Sequence, residues 1–310
     1  MNTFTKKALD VFAHQYTANT VYRSFCDLMN ISPSDVLSLT DIPFLPVELF
    51  KSHRVSCSEE SEMIFESSGT GGTVSKHYVS SLETYKSSFN NCFSQFYGSA
   101  KKYHILALLP GYLERPNASL VYMCRDLIQQ AKPGSGFYLN QFKELHQTLT
   151  KLNQQNTPTI LLGVTFALLD FCEEFPISLQ NTIIMETGGM KGRRKELVRE
   201  ELHEILKKGF GVSEIHSEYG MTEMLSQAYA KSNGLFTPSH NMSVLIRDVD
   251  DPKRVSETGS GALNIIDLSN KDSCAFIATQ DLGKCYPDGS FEVIGRFDAA
   301  DVRGCSLMTA

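Results

Sequence analysis

Apolar residues recur at helical spacing over residues 5–29, where Leu9, Phe12, Tyr16, Val21 and Phe25 mark one face. The run Ile42-Pro43-Phe44-Leu45-Pro46 breaks any helix and reads as an extended connector. Beyond Phe65-Glu66 and a Gly/Ser/Thr cluster at 67–75 the pattern alternates. Helices are expected over 81–97, 119–131 and 165–174, and a long charged one over 195–208. Short apolar strands are expected over 104–109, 159–164, 182–186 and 213–216. Strand, glycine turn, helix, strand is the grammar of a parallel-sheet α/β unit. The last third changes character. Apolar stretches at 243–247, 262–267, 274–279 and 290–294 are separated by Gly, Asp, Asn and Pro, and Asp288-Gly289 is a hairpin-turn signal. The expectation is one α/β domain over 1–310, with a core to about residue 240 and an antiparallel β-rich part over about 241–310.

Composition narrows the function classes. Of 310 residues 42% are hydrophobic and 21% charged, which provides a sizeable core and argues against wholesale disorder. The net charge of −6 argues against a nucleic-acid binder that works by neutralising phosphates. Eight cysteines, at 26, 57, 92, 124, 172, 274, 285 and 305, include no CxxC pair, so neither a zinc ribbon nor a disulfide framework is expected. The N-terminus has no long apolar core, and the richest apolar stretch, 159–171, falls short of the ~20 residues of a membrane span. These features point to a cytoplasmic protein without a membrane span.

Three stretches can carry chemistry. In Ser67-Ser68-Gly69-Thr70-Gly71-Gly72-Thr73, glycines admit close backbone approach and hydroxyls can donate to phosphate oxygens. It is not a Walker A loop, since no Gly-Lys-Ser/Thr follows, and a plain flexible loop has the same composition. In Glu218-Tyr219-Gly220-Met221-Thr222-Glu223, a carboxylate beside a hydroxyl at a strand end suits Mg²⁺ on a triphosphate, although a turn with a solvated Glu reads the same way. Asp281, followed by Asp288-Gly289 and Gly295-Arg296-Phe297-Asp298, is suited to ribose hydroxyls or, equally, to turns.

In this order the stretches resemble the four motifs of the adenylate-forming enzymes, at residues 67–75, 219–223, 279–281 and 295–298. A closer resemblance is to the LuxE-type acyl-protein synthetases. It rests on residues 185–194 (METGGMKGRR), on 217–227 (SEYGMTEMLSQ) and on Arg303-Gly304-Cys305-Ser306-Leu307. The resemblance implies an α/β adenylate-forming large domain: parallel sheets flanked by helices, plus an antiparallel appendage. Only twelve residues follow Asp298, so the lid domain and its catalytic lysine are expected to be missing. Lys191, Arg193 and Arg194 are candidates for the lost charge, or simply a solvated helix start.

The implied roles follow. Ser67, Ser68, Gly69, Thr70 and Gly72 would hold the ATP phosphates. Gly188 and Gly189 would lie along adenine, with Tyr219 stacked on it, and Asp281 and Arg296 would contact the ribose. Thr222 would touch phosphate, Glu223 would bind Mg²⁺, and Cys305 would receive the acyl group before an acyl reductase or carrier takes it. Val74 and Ser75 stand where the wider family has Pro-Lys, and Gln280 where it has Gly. The implied activity is ATP-dependent activation of a carboxylic acid, a fatty acid foremost, as acyl-AMP, and transfer to a protein thiol. Two alternatives stay open: a small acyl- or aryl-CoA ligase, and a non-catalytic adenylate- or acyl-binding protein.

Overall fold

The computed structural model describes residues 2–68, 73–111, 117–188 and 197–296. The helical stretch at 5–29 is two helices, α1 (Thr3–Ala18) and α2 (Thr20–Leu28). They break at Asn19, whose side chain accepts the Tyr22 N–H and so caps α2. The proline-bounded connector contains β1 (Leu45–Pro46) and leads to α3 (Leu49–Ser52). A hairpin follows, β2 (Met63–Glu66) and β3 (Lys76–Val79), with the Gly/Ser/Thr cluster between its strands. Then comes α4 (Leu82–Tyr97), capped by the Ser81 hydroxyl.

The alternating segment is β4 (His104–Leu108), α5 (Ser119–Gln130), β5 (Gly136–Tyr138), α6 (Phe142–Gln154), β6 (Thr159–Val164), α7 (Thr165–Glu174), β7 (Thr182–Thr187), α8 (Arg199–Phe210) and β8 (Ile215–Tyr219). The last third holds β9 (Ala228–Ala230), β10 (Leu235–Pro238), β11 (Met242–Arg247), β12 (Val255–Ser256), β13 (Gly259–Asp267), β14 (Phe276–Cys285) and β15 (Phe291–Arg296).

Thirteen described strands form one sheet, along the path β12-β11-β13-β14-β15-β10-β9-β8-β7-β6-β4-β5, with β1 paired to the first half of β14. Strands β5, β4, β6, β7 and β8 are parallel, and from β9 onward the path is antiparallel. The β6 sequence TILLGV is buried at every position, as a parallel strand covered on both faces must be. The antiparallel part therefore continues the parallel sheet through β8–β9.

Several expected elements shift: the strand expected over 213–216 is Ile215–Tyr219, the one expected over 262–267 begins at Gly259, and two more differ. Helix α8 begins at Arg199 rather than 195, with Leu197 and Val198 outside it and residues 195 and 196 outside the described residues. Strand β14 runs through the polar residues Gln280 and Asp281 to Cys285, because both ladders continue there.

Two buried clusters fill the layers. One joins α4–α8 to the parallel strands through Phe89, Phe171 and Phe210. The other joins the N-terminal helices to the antiparallel strands, where Phe12, Tyr22 and Phe276 meet with ring centroids 6.0–6.2 Å apart. Polar anchors accompany it. The Gln15 amide donates to the carbonyls of Asn270 and Lys271, 3.0 Å each, and accepts the Ala275 N–H at 3.1 Å. The Asn19 amide donates to the Ser273 carbonyl at 2.9 Å. These bonds hold the turn before β14 against α1.

Candidate active site

The carboxyl ends of parallel strands are where open α/β sheets bind ligands. Here β7 ends beside Gly188 and β8 ends on Tyr219, and the β14–β15 pair approaches from the antiparallel side. Gly188 has φ +68, a left-handed conformation that glycine adopts without strain, and its carbonyl accepts the Thr165 hydroxyl at 2.8 Å.

Tyr219 packs edge-on against Phe236 and Phe291, whose rings stack on each other at 5.3 Å. This aromatic support sets the direction of the ring, and its hydroxyl donates to Asp281 Oδ2 at 2.7 Å. Asp281 faces Arg296 in the β14–β15 register, with Arg296 Nε 3.9 Å from Asp281 Oδ1. Burial raises the Asp281 carboxyl, opposed by the Tyr219 hydrogen bond and by Arg296. Burial, then Asp281, pushes the Tyr219 phenol well up, so it stays a donor at neutral pH.

The second cluster joins two motifs far apart in sequence. At the base of the β2–β3 hairpin, the Ser75 N–H donates to the Ser67 hydroxyl at 2.9 Å, and the Ser67 N–H donates to the Ser75 carbonyl at 3.1 Å. The Ser75 side chain lies near enough to the Glu223 carboxylate to pull its pKa down, and Glu223 is only 5% exposed. Burial raises the Glu223 carboxyl above its ordinary value, opposed by Ser75, Arg296 and Lys51. The Gly/Ser/Thr loop thus starts and ends beside the Thr222-Glu223 turn.

Below this turn lies a buried network. His77 on β3 has Nδ1 2.8 Å from the Thr222 carbonyl and Nε2 3.0 Å from Asn270 Oδ1. The Asn270 amide nitrogen donates to the carbonyls of Glu223 and Cys274, each at 2.8 Å. Burial pulls His77 down to about 4, and because both neighbours are acceptors the neutral ring donates its one N–H to only one of them.

A third set of buried groups braces β7 against β8. Glu186 binds the Arg199 guanidinium at 2.5 Å, and Arg199 lies over the Phe236 ring. Burial raises the Glu186 carboxyl, but His203, Arg199 and Ser217 outweigh it and the net shift is downward. One residue on, Thr187 donates to Glu218. Among the described residues no cation pairs with Glu218; burial and Glu186 lift it to about 7 against the Thr187 bond.

The structure therefore brings together Ser67 with Glu223 through Ser75, and Tyr219 with Asp281 and Arg296. Ser68, Gly188 and Thr222 adjoin these groups along the chain. Gly69, Thr70, Gly72, Gly189 and Cys305 lie outside the described residues, as do Lys191, Arg193 and Arg194. Sequence reasoning passed over His77, Asn270, Glu186 and Arg199. His77 and Arg199 sit at the edges of recognised motifs, but nothing local marks Asn270, which reaches Glu223 only through the fold.

Among the described residues no helix is long and apolar enough to cross a membrane, and no group of three or more His, Cys, Asp or Glu is placed to hold a metal ion.

Solved structures share this architecture. A 2-hydroxyisobutyryl-CoA ligase in its postadenylation state with 2-HIB-AMP superposes with a TM-score of 0.70 at 12% identity, covering 95% of this chain and 67% of that one. ATP-bound MatB from Rhodopseudomonas palustris gives 0.55 at 15% identity, covering 75% of this chain and 47% of its own, so the match spans about half of that enzyme. MenE, an O-succinylbenzoate coenzyme A synthetase from Bacillus subtilis in complex with AMP, gives 0.52 at 20% identity, over 77% and 50% of the two chains. At these identities the likeness establishes the fold.

Among curated proteins, a long-chain-fatty-acid–luciferin-component ligase of Aliivibrio fischeri is 23% identical over 336 aligned positions, 98% of this chain and 87% of that protein. One of the same description from Photorhabdus luminescens is 36% identical over 73, covering 23% and 62%. The family model of the acyl-protein synthetase LuxE matches residues 1–310, and with that full-length match the chain belongs to the LuxE acyl-protein synthetase family.

Proposed function

We propose that this chain activates a carboxylic acid, a fatty acid foremost, with ATP and passes the acyl group to a thiol. The observation that carries the reading is the convergence of three separated motifs. Ser67 and Ser75 pair at the base of the hairpin with Ser75 beside Glu223, while Tyr219, Asp281 and Arg296 interlock where β8 meets the β14–β15 pair. A phosphate loop, a metal-binding carboxylate and a ribose-binding pair need that juxtaposition, and three unrelated turns do not.

In this reading the substrate carboxylate forms a bond to the α-phosphorus of ATP as the bond to pyrophosphate breaks. A thiolate then attacks the acyl carbon and AMP leaves. Because the acid is already ionised, the chain's task is alignment and charge stabilisation. Asp281 accepts from ribose hydroxyls and Tyr219 offers its face to adenine. Ser67, Ser68 and Thr222 direct hydroxyls at phosphate oxygens.

Glu223 fits Mg²⁺. It is a buried hard-oxygen donor raised by burial, a state that a divalent cation reverses. Mg²⁺ on a nucleotide takes one or two protein carboxylates, so a cluster of three is not required. When bound, it would neutralise charge on the phosphates.

The acceptor we assign is Cys305. Among the described residues no cysteine is in a disulfide. For Cys26, Cys57, Cys92, Cys124, Cys274 and Cys285, burial pushes the thiol up, the setting of an inert sulfur. An acyl reductase or an acyl carrier would then collect the group, in the cytoplasm, with residues 1–310 working as one unit.

Pyrophosphate–ATP exchange over a panel of acids tests the reading, together with labelling by radioactive acid. Acid-dependent exchange and hydroxylamine-labile label on the protein, lost in Cys305→Ser while exchange persists, are expected. Release of acyl-CoA without protein label makes it a CoA ligase, and no exchange with any acid leaves a binding protein.

A further inference from the structure

We propose that His77 and Asn270 act together as positioning residues, a buried bridge that fixes the Thr222-Glu223 turn against the hairpin carrying the phosphate loop. The inference rests on the nucleotide-site reading above and assigns residues that the family motifs do not contain.

The argument is the closed circuit of contacts. From β3, His77 reaches the Thr222 carbonyl at 2.8 Å and Asn270 Oδ1 at 3.0 Å. Asn270 donates to the Glu223 carbonyl at 2.8 Å, and the Glu223 carboxylate comes back near Ser75, two residues before His77; the Ser75 side chain pulls its pKa down. Each group in the circuit except Thr222 is almost fully buried: His77 0%, Asn270 1%, Ser75 3% and Glu223 5% exposed.

The bridge grips both main-chain carbonyls of the Thr-Glu dipeptide, so it sets the peptide planes from which the Thr222 hydroxyl and Glu223 carboxylate project. It is itself clamped. Phe50 meets the His77 ring edge-on at 5.9 Å, and the second Asn270 N–H is held by the Cys274 carbonyl at 2.8 Å. The neutral ring has one N–H for its two acceptors, so it donates to one and packs against the other, and in either tautomer it lies between two elements whose spacing decides whether phosphate and metal ligands meet; misplacing such groups by about 1 Å costs on the order of a hundred-fold in rate.

The test uses the full chain with His77→Ala, His77→Gln and Asn270→Ser, the last two keeping it decidable if the alanine variant does not fold. Pyrophosphate exchange is measured against Mg²⁺ concentration, and AMP affinity by calorimetry. His77→Ala is expected to lower exchange turnover ten- to a hundred-fold. AMP affinity should stay within two-fold, since Tyr219, Asp281 and Arg296 are untouched. Raised Mg²⁺, or Gln in place of Ala, should recover part of the loss because the glutamine amide still donates to one acceptor. The double variant should be no worse than the weaker single one, as members of one unit behave. Turnover within two-fold of the unaltered chain, or equal losses of turnover and AMP affinity that neither Mg²⁺ nor Gln relieves, overturns the bridge. If the unaltered chain exchanges with no acid, the functional reading fails separately. The Mg²⁺ dependence of binding a non-hydrolysable ATP analogue then decides the bridge, an unchanged dependence in the variants counting against it.

Discussion

Three side chains of the site differ in what their removal should do. Glu223 would contact the metal where charge is redistributed, so Glu223→Gln should lower exchange by about a hundred-fold or more while circular dichroism stays unchanged. Near-normal exchange in that variant would remove Glu223 from the site. Asp281 would hold ribose equally before and during reaction, so Asp281→Ala should raise the KM for ATP more than it lowers kcat; an unchanged KM reduces the 279–281 match to a turn. Glu218 makes a prediction of another kind. Its carboxyl titrates near 4.5 in an unfolded chain and near 7 in place. Between those values the folded protein holds the extra proton, so stability must fall as pH rises from about 4.5 to 7, by up to about 3 kcal/mol. Urea midpoints at pH 5, 6, 7 and 8 should show the decline, and Glu218→Gln should flatten it; parallel curves for the two proteins would dismiss it. At this scale a sequence motif names its own candidates, as for Glu223 and Asp281. The sequence is silent on Asn270, whose partners lie 47 residues away at Glu223 and 193 away at His77, because hydrogen bonds across a fold leave no local pattern.

At the scale of elements, legibility tracks burial. Strand β6 and helix α7 begin and end where the pattern puts them, since β6 is buried at every position and α7 after Thr165 is apolar but for Asp170 until its closing Glu173-Glu174. The hairpin β2–β3 was legible only as Phe65-Glu66, because its strands are short and KHYV lacks a clean alternation. Strand β14 extends past its apolar stretch since ladder bonds, not side chains, continue it. That second half is also the tightest part of the sheet. A Cβ on Gly283 would lie 2.2 Å from the Glu292 carbonyl oxygen, next to a register shift between Leu282 and Gly283. Backbone cannot give way as a side-chain end can, so Gly283→Ala should pry β15 from β14 and cost about 2 kcal/mol or more. Asp281 and Arg296 oppose each other across the same pair, so the KM for ATP should rise along with the fall in melting temperature. A variant that melts normally would show that the strands can separate there without loss.

At the scale of the molecule, the N-terminal helices support a site to which they contribute no motif. Gln15 spans three main-chain groups of the 270–275 turn, and that turn supplies Asn270. Gln15→Ala leaves those buried groups without partners, which should cost roughly 3 kcal/mol and lower the calorimetric transition by several degrees; an unchanged transition would mean that α1 is held by its apolar contacts alone. The sheet that carries all of this has two ends, and both are slight: β12 is two residues long and β5 three. A stranger's backbone seeking to extend either edge strand finds only two or three residues of it to pair with. On the proposed reading, which brings this chain close to whatever collects its acyl group, the two proteins can be crowded together without being stitched strand to strand.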